Sequence, residues 1–459
     1  MVLSESEFAQ RTWGDVQLGD RRLTVRAVEI GRRMAAHPEA SLATQMQSAA
    51  ALEGAYRIMN HAHITLQALL EPTYVQTRQA ASEGQVVLWV NDQTELDYTF
   101  QRAKSGMGPI GDGKGRGLLM HTTLAIRPET REVLGLGSVQ VYLRQETPKP
   151  KPKWTRSMEG RVWEVAAIQV GTAPAGVIWV EVSDAGSDSF LYLERCVALN
   201  KEFLIRVAHN RRIVQEEDGE TGKMIDYARS LSPQAGSEEE VRIPASQKQA
   251  VRTAQVVKAW APVVLPPSSQ APKEERRQVP VKAWVLRVWE LHPPEEVEGL
   301  EWILLSSLPV TTPAEANQRV EWYTCRWFCE DFHQCLKTGC QIERSQLSDR
   351  EDVETLLGFV APIALRLLQL RQTVRQPSDR LAVEEVDPLM VEVVAQKLQV
   401  DSQTMTLVTF WLLVARLGGF QGRKRDGNPG WRTLWWGWRY VSDLTEGARL
   451  LSNHRTKLR

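Results

Sequence analysis

At 459 residues the chain is longer than a single core accommodates, so two or three domains are expected. Its 42% hydrophobic and 24% charged residues are ordinary for a soluble globular protein, and five cysteines, an odd and low count, argue against a disulfide framework. No run of about 18 apolar residues and no basic-then-apolar leader in Met1–Glu7 are visible, so the expected location is the cytoplasm, on the nucleoid if DNA is bound.

The first 75 or so residues read as helices. Leu23, Val28, Ile30 and Met34 recur at helical spacing among Arg21, Arg22, Arg26, Arg32 and Arg33. Ala49, Leu52, Ala55, Tyr56 and Met59 mark a second helix. Arginines so placed suit phosphate contacts, and equally a charged surface helix. Strand-like runs follow: Val86–Val90, ending in Asn91 and Asp92, then Leu118–Ile126 and Val133–Leu143 with a turn at Pro128 and Glu129. A proline-interleaved basic stretch carries Lys149, Lys151, Lys153, Arg156 and Arg161 around Trp154. Arg161–Val170 reads as a helix and Val177–Val182 as a buried strand ending in Ser183 and Asp184. Another helix and the strand Phe203–Val207 complete the unit.

Residues from about 210 to 300 are rich in Glu, Gln, Pro and Ser, with alternation through Val281, Ala283, Val285 and Val288 that suggests a β insertion. A helix is expected from about Pro313 to Lys337, opened by a capping box of Thr312 and Glu315 with proline at its first position and stopped near Gly339. Val353–Leu370, Pro388–Leu398 and Met405–Leu417 continue as helices, the last closed by Gly418 and Gly419. The end of the chain is basic, with Arg423, Lys424, Arg425, Arg432, Arg439, Arg449, Arg455, Lys457 and Arg459. A net charge of +0 speaks against indiscriminate nucleic-acid binding, yet these two basic regions together favour a polyanionic partner. The expected class is α/β, divided as residues 1–76, 77–372 and 373–459: a helical domain, an α/β domain with the insertion, and a helical tail.

Two strands thus end in an Asp, where side chains project into the crevice beyond the sheet edge. On an ideal helix Tyr323, Arg326, Glu330, His333 and Lys337 fall within a sector of about 80°. On helix geometry alone a solvated surface stripe is the better reading. Read with the two strand-end carboxylates, it suits phosphoryl chemistry. Asp92, Asp184 and Glu330 would supply oxygen ligands from separate elements, implying two magnesium or manganese ions, while Arg326, Lys337 and Tyr323 would meet phosphate oxygens. Cys325, Cys329, Cys335 and Cys340 cluster, but without paired C-x-x-C knuckles; buried thiols are the better reading than zinc.

The series Tyr323-x2-Arg326-x3-Glu330-x6-Lys337 resembles the Y-R-E-K signature of the insertion-sequence-four family of DDE transposases, which includes the transposon-five enzyme. The likeness extends through Tyr323–His333, Phe359–Ala361 and Leu367–Arg371. It includes Leu18–Arg21 and Glu53–Arg57 near the start, and Ala415–Phe420 and Leu434–Trp438 near the finish. The resemblance implies a ribonuclease-H-like core with a β insertion, flanked by a helical end-recognition domain and a helical C-terminal domain used for dimerisation. It implies a metal-binding catalytic triad of Asp92, Asp184 and Glu330. Trp302 would stack on a flipped base; Arg206, Tyr323, Arg326 and Lys337 would grip the distorted strand; Arg21, Arg22, Arg26 and Arg57 would recognise the transposon end. The activity implied is cut-and-paste DNA transposition: end nicking, hairpin formation and opening, and strand transfer by a homodimer in a paired-end complex. The rivals are a non-catalytic DNA-binding regulator and a nuclease that cuts without joining.

Overall fold

The computed structural model describes residues 3–144, 158–216, 219–243, 252–267, 279–295, 297–375, 379–423 and 426–457. The basic residues Lys149, Lys151, Lys153 and Arg156, with Trp154, and Lys424, Arg425 and Arg459 lie outside the described residues. In chain order, helices α1 (Glu5–Trp13), α2 (Arg21–Ala36), α3 (Leu42–Met46), α4 (Ala49–Met59) and α5 (Leu66–Ala80) come first. Strands β1 (Val86–Asp97), β2 (Gly108–Ile110), β3 (Gly115–Arg127) and β4 (Glu132–Tyr142) follow. Next are α6 (Val162–Val170), β5 (Ile178–Ser183), α7 (Phe190–Ala198), β6 (Glu202–Arg206), β7 (Arg212–Gln215), β8 (Thr221–Lys223) and α8 (Met224–Ser230). Then come β9 (Glu239–Ile243), β10 (Arg252–Leu265), β11 (Val281–Glu290), β12 (Glu301–Ser306), α9 (Pro313–Thr324) and α10 (Trp327–Gln334). The chain finishes with α11 (Arg350–Arg375), α12 (Ala382–Glu385), α13 (Pro388–Leu398), α14 (Leu407–Leu417) and α15 (Trp431–Lys457). The fold is mixed α/β, with helical N- and C-terminal regions and a mixed sheet.

Two compact units emerge, and they do not follow chain order. One gathers Met1–Gln76, Leu96–Met107 and Asp331–Arg459; the other takes Thr77–Glu95 and Gly108–Glu330. The two helical ends, which the sequence suggests as separate domains, therefore share a unit. Their common element is α11, which packs against α2, α4, α14 and α15. Trp13 of α1 is fully buried there, its indole N–H donating to the Gly358 carbonyl at 3.2 Å and its ring 5.5 Å from that of Phe359. Residues Arg350–Leu370 of α11 are long and apolar enough to cross a membrane, but 89% of that stretch is buried inside the protein. Scattered charges such as Asp352 and Arg366 hide this run in the sequence. Where α14 meets α15, a Cβ on Gly437 would lie 1.7 Å from the Val414 carbonyl oxygen, so only glycine permits the approach.

The second unit is built on the sheet. Its strand order is β2-β3-β1-β5-β6-β12-β11-β10-β7-β8, with β4 also on β3 and β9 on β10. Only the β1–β5 and β5–β6 pairs are parallel among those with described register. The expected strands, and the helix at Val162–Val170, all form. The β insertion does not stand apart: β10 and β11 pair through β12 onto β6, continuing the same sheet. Backbone donors along the edge of β6 are satisfied this way, which alternation in the sequence cannot reveal. Val162, Trp163, Ala167, Tyr192, Leu193, Phe203, Ile205, Val263, Val285 and Leu305 are drawn into one core by the helices covering a sheet face. Arg131, closing the β3–β4 turn, has φ of 56°, the left-handed region that residues other than glycine adopt less readily.

The helix expected from Pro313 to Lys337 is not continuous. Its start is as read: Glu315 N–H donates to Thr312 Oγ1 at 3.2 Å and the Thr312 N–H to the Glu315 carboxylate at 3.1 Å. At Cys325 and Arg326 the backbone tightens to bonds three residues apart, from Cys325 N–H to Trp322 and Arg326 N–H to Tyr323, separating α9 from α10. After Gln334 it widens into a π-helical segment, Cys335–Gly339. Angles counted at 100° per residue across this stretch therefore mislead. The four clustered cysteines are each buried, and none of them is in a disulfide.

Candidate active site

The parallel pair β1–β5 sets the geometry. Val86–Asn91 align residue for residue with Ile178–Ser183, so the next residues, Asp92 and Asp184, follow one another across neighbouring strands. Such strands lie about 4.8 Å apart. Asp92 is not at the end of its strand, as the sequence suggests; β1 runs on to Asp97. Asp184 caps the short turn after β5, accepting a hydrogen bond from Gly186 N–H at 2.9 Å.

Beneath these two residues lies a buried polar network that motif reading misses. The Glu181 carboxylate, 1% exposed, accepts from Lys201 Nζ at 2.7 Å, from Asn91 Nδ2 at 2.7 Å and from the Tyr192 hydroxyl at 3.3 Å. Asn91 in turn accepts from Thr123 Oγ1 at 2.6 Å, and Lys201 also donates to the Ala167 carbonyl at 2.9 Å. These bonds tie β1, β3, β5 and α6 together one residue below Asp92. A Glu inside an apolar strand, with a Lys 20 residues later, was the signal available in the sequence.

Arg326, at the break between α9 and α10, joins the carboxylates. Its Nη1 donates to Asp92 Oδ2 at 2.8 Å and its Nη2 to Glu330 Oε1 at 2.7 Å. The side chain is 13% exposed. Burial opposes its charge, but Asp92 and Glu330 outweigh that and raise its pKa above the arginine norm. Burial pushes the Asp92 carboxyl up to about 6; Arg326 and the Gln93 N–H oppose the rise, and the charges of Asp184 and Glu330 add to it. All three acids therefore stand within electrostatic reach. Behind them the Cys329 thiol, fully buried and raised in pKa by that burial, lies 3.3 Å from the Val90 carbonyl.

Tyr323 is buried and its hydroxyl raised in pKa, chiefly by burial, with Arg326 and Arg206 opposing and Asp184 contributing. Arg206, exposed at the end of β6, pairs across to Leu304. Trp302, half-buried on β12, meets Tyr323 edge to face with ring centres 5.2 Å apart. One unit thus brings Asp92, Asp184, Arg206, Trp302, Tyr323, Arg326 and Glu330 together.

Lys337 belongs to the other unit, where it pairs with Glu343 at 3.5 Å. His333, which shares the Tyr323–Lys337 stripe in the sequence, is buried. The same unit holds a groove of about 690 Å³ lined by Arg21, Arg22, Arg26, Arg33, Ser48 and Gly54, among others. Arg21, Arg22 and Arg26 are exposed; Arg22 pairs with Asp20 and Arg57, exposed on α4, with Glu53. Arg33, one of the arginines read along this helix in the sequence, lines the groove as well.

The donor chemistry of Asp92, Asp184 and Glu330 suits hard divalent cations: three carboxylates, two of them bridged by the Arg326 guanidinium. Among the described residues no three such side chains are already arranged as a metal cage. The fit lies in ligand type and charge.

Residues 5–64 match the family described as transposase DNA-binding, which covers the groove and Arg57. Residues 360–456 match the transposase Tn5 dimerisation domain, which takes in α12 to α15 and most of α11. The chain therefore carries a transposase DNA-binding domain near its start and a Tn5-type transposase dimerisation domain near its end.

Proposed function

We propose that the chain is a DDE transposase of the insertion-sequence-four type, catalysing cut-and-paste DNA transposition on a ribonuclease-H-like core. The observation that carries the reading is that Asp184, just after the strand register-aligned with β1, and Glu330 of α10 both stand within electrostatic reach of Asp92, with Arg326 bridging Asp92 and Glu330. Asp92, Asp184 and Glu330 would hold two magnesium or manganese ions, which supply charge neutralisation at the phosphoryl oxygens and a more acidic water.

The chain's own residues have distinct tasks. Arg206 and Arg326 hold phosphate oxygens of the bent strand, and Tyr323 donates a hydrogen bond to another. Lys337 adds a further phosphate contact as a point charge. Trp302 stacks on an unpaired base, lowering the cost of the bend that hairpin formation demands. Arg21, Arg22, Arg26 and Arg57 hold the transposon end through its backbone and grooves. Nicking, hairpin formation, hairpin opening and strand transfer are all in-line displacements at phosphorus, so one site can serve each. Two protomers hold two ends, which joining to one target requires.

Asp92→Asn, Asp184→Asn and Glu330→Gln should each abolish cleavage of an end duplex in magnesium while leaving its binding intact. Near-normal cleavage by any of the three overturns its assignment. Cleavage by the unaltered protein without strand-transfer product points instead to a plain nuclease.

A further inference from the structure

Arg326 occupies an unusual place for a DNA-gripping residue. Its two terminal nitrogens are committed to two different acids, at 2.8 and 2.7 Å, and its Nε is buried without a hydrogen-bond partner. The fork therefore takes one oxygen from Asp92 and one from Glu330. It is held there by backbone as well as charge, because the tight turn at Cys325 and Arg326 places its Cα just ahead of α10. Arg326 sits four residues before Glu330, the spacing at which helical side chains meet.

We propose that Arg326 is a placeholder cation, which keeps divalent metal from Asp92 and Glu330 until a DNA phosphate draws the guanidinium away. The proposal rests on the reading of Asp92, Asp184 and Glu330 as metal ligands and goes beyond it by giving their arginine a gating role. A cation ligated by both Asp92 and Glu330 needs the lone pairs that the fork now uses. Guanidinium and metal cannot both hold them. Asp92, the buried one of the three carboxylates, also needs positive charge nearby in the absence of DNA, because a buried anion without counter-charge is costly. Phosphate offers the guanidinium a geometrically equal partner, since the same fork fits either anion. Moving to phosphate frees the two carboxylates at the moment the scissile strand arrives. Metal and end DNA then bind with positive coupling, and the coupling must be reciprocal.

The test is manganese binding to the full-length protein, read from the electron paramagnetic resonance of free Mn²⁺, without DNA and with an uncleavable end duplex. For the unaltered protein the duplex should tighten Mn²⁺ binding by about tenfold or more, within the usual range of such couplings. Arg326→Gln should bind Mn²⁺ about tenfold more tightly than the unaltered protein without DNA, and its affinity should respond little to the duplex. Arg326→Lys, which keeps the charge but cannot span both acids, should fall between. Equal Mn²⁺ affinity of the unaltered protein with and without duplex overturns the proposal, and that arm needs no variant to fold. So does unchanged or weaker binding by a folded Arg326→Gln. Asp92→Asn and Glu330→Gln separate the two layers of the argument. If Mn²⁺ binding survives both, the metal-site reading fails; if both abolish it but the Arg326 variants do not change it, only the gating role fails.

Discussion

The buried pair Lys201–Glu181 lends itself to a quantitative test. Lys201 is fully buried and Glu181 is 1% exposed, with their charged atoms 2.7 Å apart. Lys201→Met keeps most of the side-chain volume but removes the ammonium, leaving the Glu181 carboxylate with only the Asn91 amide and the Tyr192 hydroxyl. Stranding one member of a buried pair costs about 3–5 kcal/mol. Glu181→Met should cost a similar amount, because it strands Lys201 against the Ala167 carbonyl alone. The double substitution removes both charges and leaves the Tyr192 hydroxyl short of its acceptor, at about 1–3 kcal/mol, while Asn91 Nδ2 still donates to the Trp89 carbonyl. Its cost should therefore fall below the sum of the singles by at least about 2 kcal/mol. Urea unfolding followed by far-ultraviolet circular dichroism at neutral pH measures all three. Asn91 precedes Asp92 and Glu181 lies three residues before Asp184, so cleavage should be lost at urea concentrations where the singles remain folded. A Lys201→Met cost under about 1 kcal/mol, or strictly additive singles, would refute the claim that this network holds the strands.

His121 offers a pH test: it is fully buried, neither ring nitrogen has a hydrogen-bond partner, and burial depresses its pKa to about 3. Between that value and the unfolded value near 6.5 the unfolded chain binds the extra proton, so stability present above 6.5 is lost as pH falls, by about 1.4 kcal/mol per unit. His121→Phe, which can keep the edge-on contact with Trp163, should flatten that slope between pH 6.5 and 4.5; an unchanged slope in urea titrations rules the histidine out as its source. Trp302→Ala should accumulate nicked ends, slowing hairpin formation about tenfold to a hundredfold while sparing the first nick, and equal slowing of both steps would make the tryptophan a packing residue against Tyr323. Joint replacement of Arg21, Arg22 and Arg26 by alanine should weaken end binding and lower its salt dependence by about three phosphate contacts, and an unaltered salt slope in filter binding would remove the groove from the interface.

Much of the chemistry was legible in the linear chain because it is local. The spacing from Tyr323 to Lys337, the capping box at Thr312 and Glu315, the glycines after Leu417 and the apolar runs ending in Asp92 and Asp184 are all patterns within a few residues of one another. Side-chain period and cap chemistry act at that range, so Pro388–Leu398 could be bounded to the residue. Three facts needed the tertiary structure. Register between β1 and β5 sets Asp92 beside Asp184, and parallel pairing depends on a crossover that no local pattern encodes. The insertion's place in the same sheet arises from unpaired backbone on β6 and β12, invisible in side-chain alternation. The tight turn at Cys325 and Arg326 was hidden because Cys329, Phe328 and Trp322 are buried on both sides of it, so packing overrides the regular helix there. That break is what turns Arg326 between Asp92 and Glu330, a bridge across 234 residues of sequence that charge alone could not foretell.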